Sequence, residues 1–447
     1  MESKKICVLG AGLSGITHAL FKQTNGTKVT VFDKHSQVGG VLQSNRTEGY
    51  LMDYGANTLS LRTKQIENFL KRYQVLEHAI DANEKCSKRF IVKKNKVISL
   101  PQGFLSFLTS SFLSPMGKLR LCIEPFIPRL RENCVDESMA SFVKRRLGKE
   151  ALDYAANPFV GGVYASRPES LIIKHAFPSI VEIEKKYGSI IKGMIKGGIN
   201  PEDKIAKTRL ISFKSGMQEL PIRLAKHLKE EPILNCQIKE ISREASGQWR
   251  LYGQNQQNNS IEQVFDEVIC TLPSHALKKI KWNSLNDDHL IEVLAQATHP
   301  PLTLTFLGYN RNQISHPLDG FGFLIPEVEN RQILGTLFSS TLFSNRAPEN
   351  KVLLTSFIGG ERNPELCELN DENIISLSKS ENQDLLSIKG QPEFSHLIHW
   401  PKSIPLPDHL TSMRINAAKT LNLRNPGITF SGSHISLAPL PICIFAN

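Results

Sequence analysis

Three glycines near the N-terminus are spaced to hold a phosphate. Gly10, Gly12 and Gly15 form a G-x-G-x-x-G pattern, with an apolar run at residues 6–9 before it and Ile16, Ala19 and Leu20 at helical spacing after it. Such glycines allow a tight turn and close backbone approach. The helix start then turns free N–H groups and a positive dipole end towards a pyrophosphate. A second apolar run, "KVTVFD", closes on Asp33, 18 residues past Gly15. A carboxylate there can accept hydrogen bonds from ribose hydroxyls. The glycine pattern alone is weak. Strand, glycine turn, helix and acid in this order make a dinucleotide-binding unit, and a glycine-rich turn in an ordinary α/β protein is the lesser reading.

Elsewhere fewer residues could carry chemistry. Residues 157–171 read "NPFVGGVYASRPESL", where the adjacent Gly161 and Gly162 let the backbone approach something closely. Residues 88–101, "KRFIVKKNKVISLP", read as a basic β-hairpin with Asn95 near the turn. By itself Arg89 is one surface cation among several, and Leu324 and Phe338 read as core. His396 and His399 stand at i, i+3, but a metal would need further ligands and none is apparent. The eight cysteines (Cys7, Cys86, Cys122, Cys134, Cys236, Cys270, Cys367 and Cys443) are scattered without a C-x-x-C pair. They read as reduced thiols, not as a disulfide frame or a zinc site.

The elements that must position these residues follow from patterning. Residues 64–76 have helical apolar spacing, residues 210–228 read strand, glycine turn, helix, and residues 267–273 read as a buried strand. "QNQQNNS" (254–260) reads as a hairpin loop, and Asp136 as the N-cap of a helix with Met139, Phe142, Val143 and Leu147 on one face. Residues 103–130 are strongly apolar but broken by Ser, Pro and Gly. Two readings stay open for them. One is a pair of buried core helices. The other is a membrane-surface patch with Lys118, Arg120, Arg129 and Arg131 for anionic head groups. A chain of 447 residues predicts two or three domains, interleaved because no long linker or repeat separates them. The net charge of +11 suits nucleic acid, an anionic membrane or an anionic substrate. No apolar run reaches the roughly 18 residues of a membrane-crossing helix. "MESKK" leads straight into a strand pattern, so no signal or transit peptide is expected.

A second glycine pair, Gly39 and Gly40 in "HSQVGGVL", is followed by "DYGANTLS" at 53–60. Together they resemble the extended FAD fingerprint of glutathione-reductase-like and amine-oxidase-like flavoproteins, which nicotinamide domains usually lack. The chain as a whole resembles the FAD-dependent protoporphyrinogen oxidases, the plant mitochondrial type most. The segments that carry this are "GANTLS" (55–60), residues 88–101, residues 136–180 with "NPFVGG" inside them, "EKKYGSII" (184–191), "ISFKSGMQELP" (211–221), "GFGFLIP" (320–326) and "LGTLFSSTLFSNRAP" (334–348).

This resemblance implies an α/β (α+β overall) fold of amine-oxidase-like architecture, in which a Rossmann-like FAD-binding domain interleaves with a β-sheet substrate domain and a helical membrane-associating domain. The FAD-binding parts are expected at 1–85, 201–273 and 413–447, the substrate hairpin at 86–98 with the rest of that domain at 274–412, and the helical domain at 99–200. The implied activity is oxidation of protoporphyrinogen IX to protoporphyrin IX in three two-electron steps, with O2 as acceptor and no metal. FAD contacts are implied for Gly10, Ala11, Gly12, Leu13, Ser14, Gly15, Asp33, Lys34, Gly40, Val41, Gly55, Ala56, Asn57, Thr58, Ile238, Gly432 and Leu440. Arg89 matches the arginine that pairs with a substrate carboxylate. Leu324 and Phe338 match the residues that sandwich a pyrrole ring, while Phe159, Gly161 and Gly162 line the wall, Gly162 against the reacting ring. The alternatives are coproporphyrinogen III oxidation to coproporphyrin III, or a catalytically poor flavin- and porphyrin-binding protein. The resemblance further implies a cytoplasmic location, peripheral on the inner face of the cell membrane, with no nucleic acid partner, a homodimer, and hand-over of product to a ferrochelatase.

The C-terminal stretch departs from the family. In "FSGSHISLAPLPICIFAN", Gly432 and Cys443 align, but Leu437 replaces a glycine and Ile442 an aspartate, and Pro439 and Pro441 remove N–H donors. Pro407 stands where a tyrosine is usual, and the helix that follows in the family is not reached before Asn447. The pyrophosphate, adenosine and substrate motifs are kept; the isoalloxazine edge is the part that differs.

Overall fold

The computed structural model describes residues 3–24, 26–84, 86–129, 136–197 and 204–436. Strand β1 (Lys4–Leu9), helix α1 (Leu13–Lys22) and strand β2 (Thr27–Phe32) form the unit expected at the N-terminus. Residues Ile6, Cys7, Val8 and Leu9 are all buried, the mark of a parallel strand covered on both faces. The sheet that contains them is parallel throughout. Its order is β2, β1, Glu267–Cys270 and Ile428–Phe430. Three distant stretches of sequence therefore build one cofactor sheet. A second sheet, ordered Ser260–Phe265, Trp249–Asn255, Cys236–Arg243 and Lys281–Asn283, joins it at the end of β2, where Cys236 N–H donates to the Asp33 carbonyl at 2.8 Å.

The largest sheet has seven strands, in the order Phe394–Trp400, Leu302–Asn310, Lys351–Gly359, Ile333–Phe338, Gly320–Leu324, Lys88–Lys93 and Lys96–Ser99. The basic hairpin supplies the last two. Its turn residues Lys94 and Asn95 both have positive φ, 52° and 59°, as a two-residue type I′ turn demands. The helix Asp371–Leu386 covers one face. Asn382 there is fully buried, accepts from Thr336 and donates to Ser356 of the sheet. A buried ion pair joins distant segments: Arg346 Nη2 donates to Asp53 Oδ2 at 2.8 Å, and the Ser44 hydroxyl and Met217 N–H donate to the other carboxylate oxygen.

Helices from Phe104–Thr109 to Ile190–Ile195 form the third part. Several expectations are corrected here. Ser138, not Asp136, caps the helix Met139–Leu147, accepting from Ser141 N–H. The helix begun at Lys64 ends at Arg72, before a separate 3-10 turn at Leu76–His78. Of the two readings of residues 103–130, buried core helices is overturned: Leu105, Met116 and Phe126 are 79%, 72% and 82% exposed. What fixes this surface is buried polar chemistry beneath it. Glu124, fully buried, accepts from Ile190 and Ile191 N–H at 3.0 and 3.2 Å and pairs with Arg146, so beside the N-cap Ser189 it satisfies the first free N–H groups of the last helix of the group. The glycines of "NPFVGG" lie inside the helix Asn157–Tyr164. It is preceded by a π-helical turn, Leu152–Ala156, and closed by Ala165 with φ 51°. π-turns inside helices concentrate at functional sites.

Candidate active site

The N-terminal cradle is built from two glycine loops in contact. Gly39 N–H donates to the Ala11 carbonyl at 2.8 Å, and Gly12 and Gly39 form a parallel bridge. The glycines differ in what they avoid. A Cβ on Gly15 would lie 1.8 Å from the Gly10 carbonyl oxygen, so α1 can pack on the turn only with glycine there. A Cβ on Gly55 would lie 2.1 Å from the Val41 carbonyl, so Gly55 is equally demanded by packing. On Gly12 nothing comes nearer than the Gly40 Cα at 3.9 Å; its bare face is open. The N-cap of α1 is Gly12 itself, with no capping side chain and no acid in the first turn. That leaves the dipole end without an anionic partner from the helix itself, a setting that suits a diphosphate.

Asp33 is buried at the end of β2. Its Oδ2 accepts Ala11 N–H at 2.7 Å and its Oδ1 accepts His35 N–H at 2.8 Å, with the His35 ring equally near. A carboxylate has about four lone-pair sites, so the loop contacts leave capacity for a ribose hydroxyl. Lys34, next to it in the chain, and Val41 are exposed, and Leu13 and Ser14 begin α1. Ala56, Asn57 and Thr58 are half-buried in a loop that meets the seven-stranded sheet, where Trp400 Nε1 donates to the Tyr54 carbonyl at 2.8 Å. Ile238 is buried in the second sheet, and a Cβ on Gly432, φ 136°, would lie 3.3 Å from the His434 ring and 3.6 Å from the Leu272 carbonyl oxygen. Leu440 and the altered residues Leu437, Pro439, Pro441, Ile442 and Cys443 lie outside the described residues, as does Arg131 of the basic patch.

The substrate motifs meet along one strip. A Cβ on Gly162 would lie 2.4 Å from Leu324 Cδ2, so the helix Asn157–Tyr164 rests its bare face on that leucine. Leu324 pairs across the sheet with Ile91, and Arg89 stands two residues along the same strand, about 7 Å away. Phe159 is 43% exposed on the same helix, and Gly162 and Leu324 are half-buried. Arg89 is an exposed residue with no carboxylate partner among the described residues; partial burial of its guanidinium lowers its pKa against the pull of Cys86. Its neighbour Lys88 is neutralised by Asp319.

Two expected members do not face this strip. Phe338 is fully buried among Phe90, Phe323 and His316, because its strand turns it, with Thr336, towards the covered face of the sheet. Gly161 is buried with its bare side turned inward, where a Cβ would lie 3.2 Å from Arg362 Nη2. Sequence reasoning passed over Arg362. It is buried beneath the helix, donates to the Ile325 carbonyl at 2.8 Å and to Asn157 Oδ1 at 3.1 Å, and has its pKa pushed down to about 10 by burial against the pull of Glu327. His434 was missed too. It is fully buried after Gly432, and neither ring nitrogen has a partner among the described residues. Nothing local marks either residue; only the packing of distant segments buries them.

This fold and cradle define a flavin-dependent oxidoreductase, and comparison with known proteins agrees. The profile of the family described as flavin containing amine oxidoreductase matches residues 13–438. Protoporphyrinogen oxidase 2, chloroplastic/mitochondrial, of Arabidopsis thaliana is 32% identical over 463 residues, covering 97% of this chain and 90% of the relative. Coproporphyrinogen III oxidase of Staphylococcus aureus is 26% identical over 464 residues, covering 99% and 97%. Among solved structures, a protein provisionally called a protoporphyrinogen oxidase from Exiguobacterium superposes with a TM-score of 0.81 at 20% identity, covering 100% of this chain and 97% of that one. The chain belongs to the flavin-containing amine oxidoreductase family. It is an FAD-dependent oxidoreductase, and the cradle of Gly12, Gly40 and Asp33 fits that cofactor.

Proposed function

We propose that this enzyme oxidises protoporphyrinogen IX to protoporphyrin IX. The observation that carries the reading is Arg89, an exposed arginine without an acid, standing at the end of an apolar strip made by Gly162, Leu324 and Ile91. A flat, largely apolar dicarboxylate has both features. FAD held by the glycine cradle would supply the two-electron acceptor chemistry, with O2 as the final acceptor. The chain's own part is orientation. Arg89 holds a propionate by charge-assisted hydrogen bonds. The helix Asn157–Tyr164 forms a wall whose Gly162 leaves room for a macrocycle once Leu324 moves aside. Arg362 and Asn157 pin that helix to the sheet from behind. The cofactor roles of residues 10–15, 33–34, 40–41 and 55–58, of Ile238 and of Gly432 belong to the same proposal, as do the domain limits given above.

The exposed helices between Phe104 and Phe126 suit an apolar, poorly soluble product: they would seat the enzyme on the inner face of the cell membrane. No described helix is long and apolar enough to cross a membrane. A homodimer and direct hand-over to a ferrochelatase complete the proposal. A second reading, oxidation of coproporphyrinogen III, is favoured by the full-length match to the Staphylococcus aureus relative of that name.

The test is to supply each porphyrinogen to the purified flavin-loaded protein and follow porphyrin fluorescence. Protoporphyrin formation is expected to dominate. Arg89→Ala is expected to raise KM about ten- to a hundredfold, from the loss of a charged hydrogen bond worth about 1.5–3 kcal/mol, with flavin content unchanged. No porphyrin from either substrate would refute the proposal.

A further inference from the structure

Arg89 is held in an unusual way for a surface arginine. Its Cζ lies 4.3 Å from the centroid of the Phe321 ring. Its Nη1 alone donates to backbone oxygens, those of Cys86, Ser87 and Lys88, at 3.2, 3.4 and 3.3 Å. Asp319, two residues before Phe321, is occupied by Lys88. One edge of the guanidinium is thus tethered and one face stacked, while Nε and Nη2 have no partner among the described residues.

Phe321 reaches this position through an irregularity in its strand. The register of Gly320–Leu324 against Lys88–Lys93 shifts between Gly320 and Phe323. Gly322 has φ 140°, and a Cβ there would lie 2.2 Å from the Thr336 carbonyl oxygen, so only glycine fits. In a regular strand Phe321 and Phe323 would share a face. Here Phe323 is buried in the sheet core, whereas Phe321 is half-buried against Cys86, Leu342 and Phe343. Bulges re-aim side chains in this manner.

We infer that Phe321 is a positioning residue that presents the free edge of Arg89 to a substrate carboxylate. The inference rests on the proposed pairing of Arg89 with a propionate and adds how that pairing is made selective. A guanidinium lying on an aromatic face keeps its charge and its in-plane donors while losing its freedom to swing. A carboxylate arriving in the guanidinium plane can then form a two-bond contact with Nε and Nη2, and a neutral ester cannot match it.

The experiment compares Phe321→Leu and Phe321→Tyr with the unmodified enzyme and with Arg89→Ala, using protoporphyrinogen and its dimethyl ester as substrates. For Phe321→Leu, KM for the free acid is expected to rise about three- to tenfold, with kcat within about twofold and KM for the ester unchanged. Phe321→Tyr should restore the acid KM, and Phe321→Leu should add nothing to Arg89→Ala. Flavin content and melting temperature report folding; should Phe321→Leu fold poorly, Phe321→Met is read in the same way. An equal rise for acid and ester, or an effect additive with Arg89→Ala, overturns the inference and makes Phe321 a plain wall residue. An unchanged acid KM in Arg89→Ala overturns the carboxylate pairing and the inference with it.

Discussion

Acid should destabilise this enzyme through one buried histidine. His434 is 1% exposed and neither imidazole nitrogen finds a hydrogen-bond partner among the described residues. Arg414 of the helix Thr411–Arg424 lies against it, its Nε donating to the His434 carbonyl at 3.3 Å, and its charge is balanced by Asp408. His299, held by the Ser274 hydroxyl and the Ser403 carbonyl, and His275 complete the surroundings. Burial first, then Arg414, pushes the His434 pKa down to about 3. In the unfolded chain the same group titrates near about 6.5. Between those two values the unfolded state binds the proton and the folded state does not. Stability is therefore complete above about pH 6.5 and falls as the pH drops towards 3. The loss from this residue alone is about 2 kcal/mol at pH 5 and levels off at about 5 kcal/mol, a large share of the roughly 5–15 kcal/mol of a typical domain.

The assay is urea unfolding of the flavin-loaded protein at half-unit pH steps from 7.5 to 4.5, as ~0.5-unit increments suffice for a slope of up to one proton, with His434→Leu alongside. The leucine removes the titration, fills a similar volume and leaves no unpartnered polar atom. Every other titrating group contributes equally to both proteins, so the difference between the two curves isolates His434. The variant should be as stable as the natural protein or more so at pH 7.5, and should lose less stability at pH 5 by about 2 kcal/mol. Parallel curves would refute the reasoning and mean that His434 is partnered or hydrated in solution.

Three further outcomes are expected. Gly12→Val should fold but purify without FAD, because its Cβ meets nothing within 3.9 Å except the space a diphosphate needs, whereas Gly15→Ala should lose stability outright with its Cβ 1.8 Å from the Gly10 oxygen; full flavin occupancy in Gly12→Val counts against the cradle. Gly162→Ala should displace Leu324 and lower stability by about 1–3 kcal/mol, and adding Leu324→Ala should restore stability but not turnover; recovery of both would mean that Gly162 only makes room for the leucine. Met116→Asp with Phe126→Asp should abolish sedimentation with anionic liposomes without lowering the melting temperature, since both side chains are exposed. Lys118 and Arg120 are poorer probes, because they donate to the carbonyls of Leu108, Ser110, Arg145 and Arg146 and their reversal would disturb the fold.

Local spacing was legible before any packing was known. The strand, glycine turn, helix and acid of residues 6–33 are legible because each step has a local cause: apolar runs, backbone freedom and helical period. The hairpin turn at Lys94 and Asn95 is legible for the same reason. Burial is another matter, because it depends on which face of an element a distant element covers. The tertiary structure sent Phe338 into the core under the helix Asp371–Leu386, as its residue type alone suggested, and turned Gly161 towards Arg362, although the family resemblance set both towards a ligand. It left Leu105, Met116 and Phe126 in solvent, between two readings that composition could not separate. It joined Asp53 to Arg346 across 293 positions and buried His434 against Arg414. Such contacts leave no trace in local pattern, since their energy arises only when segments far apart in the chain exclude water from one another.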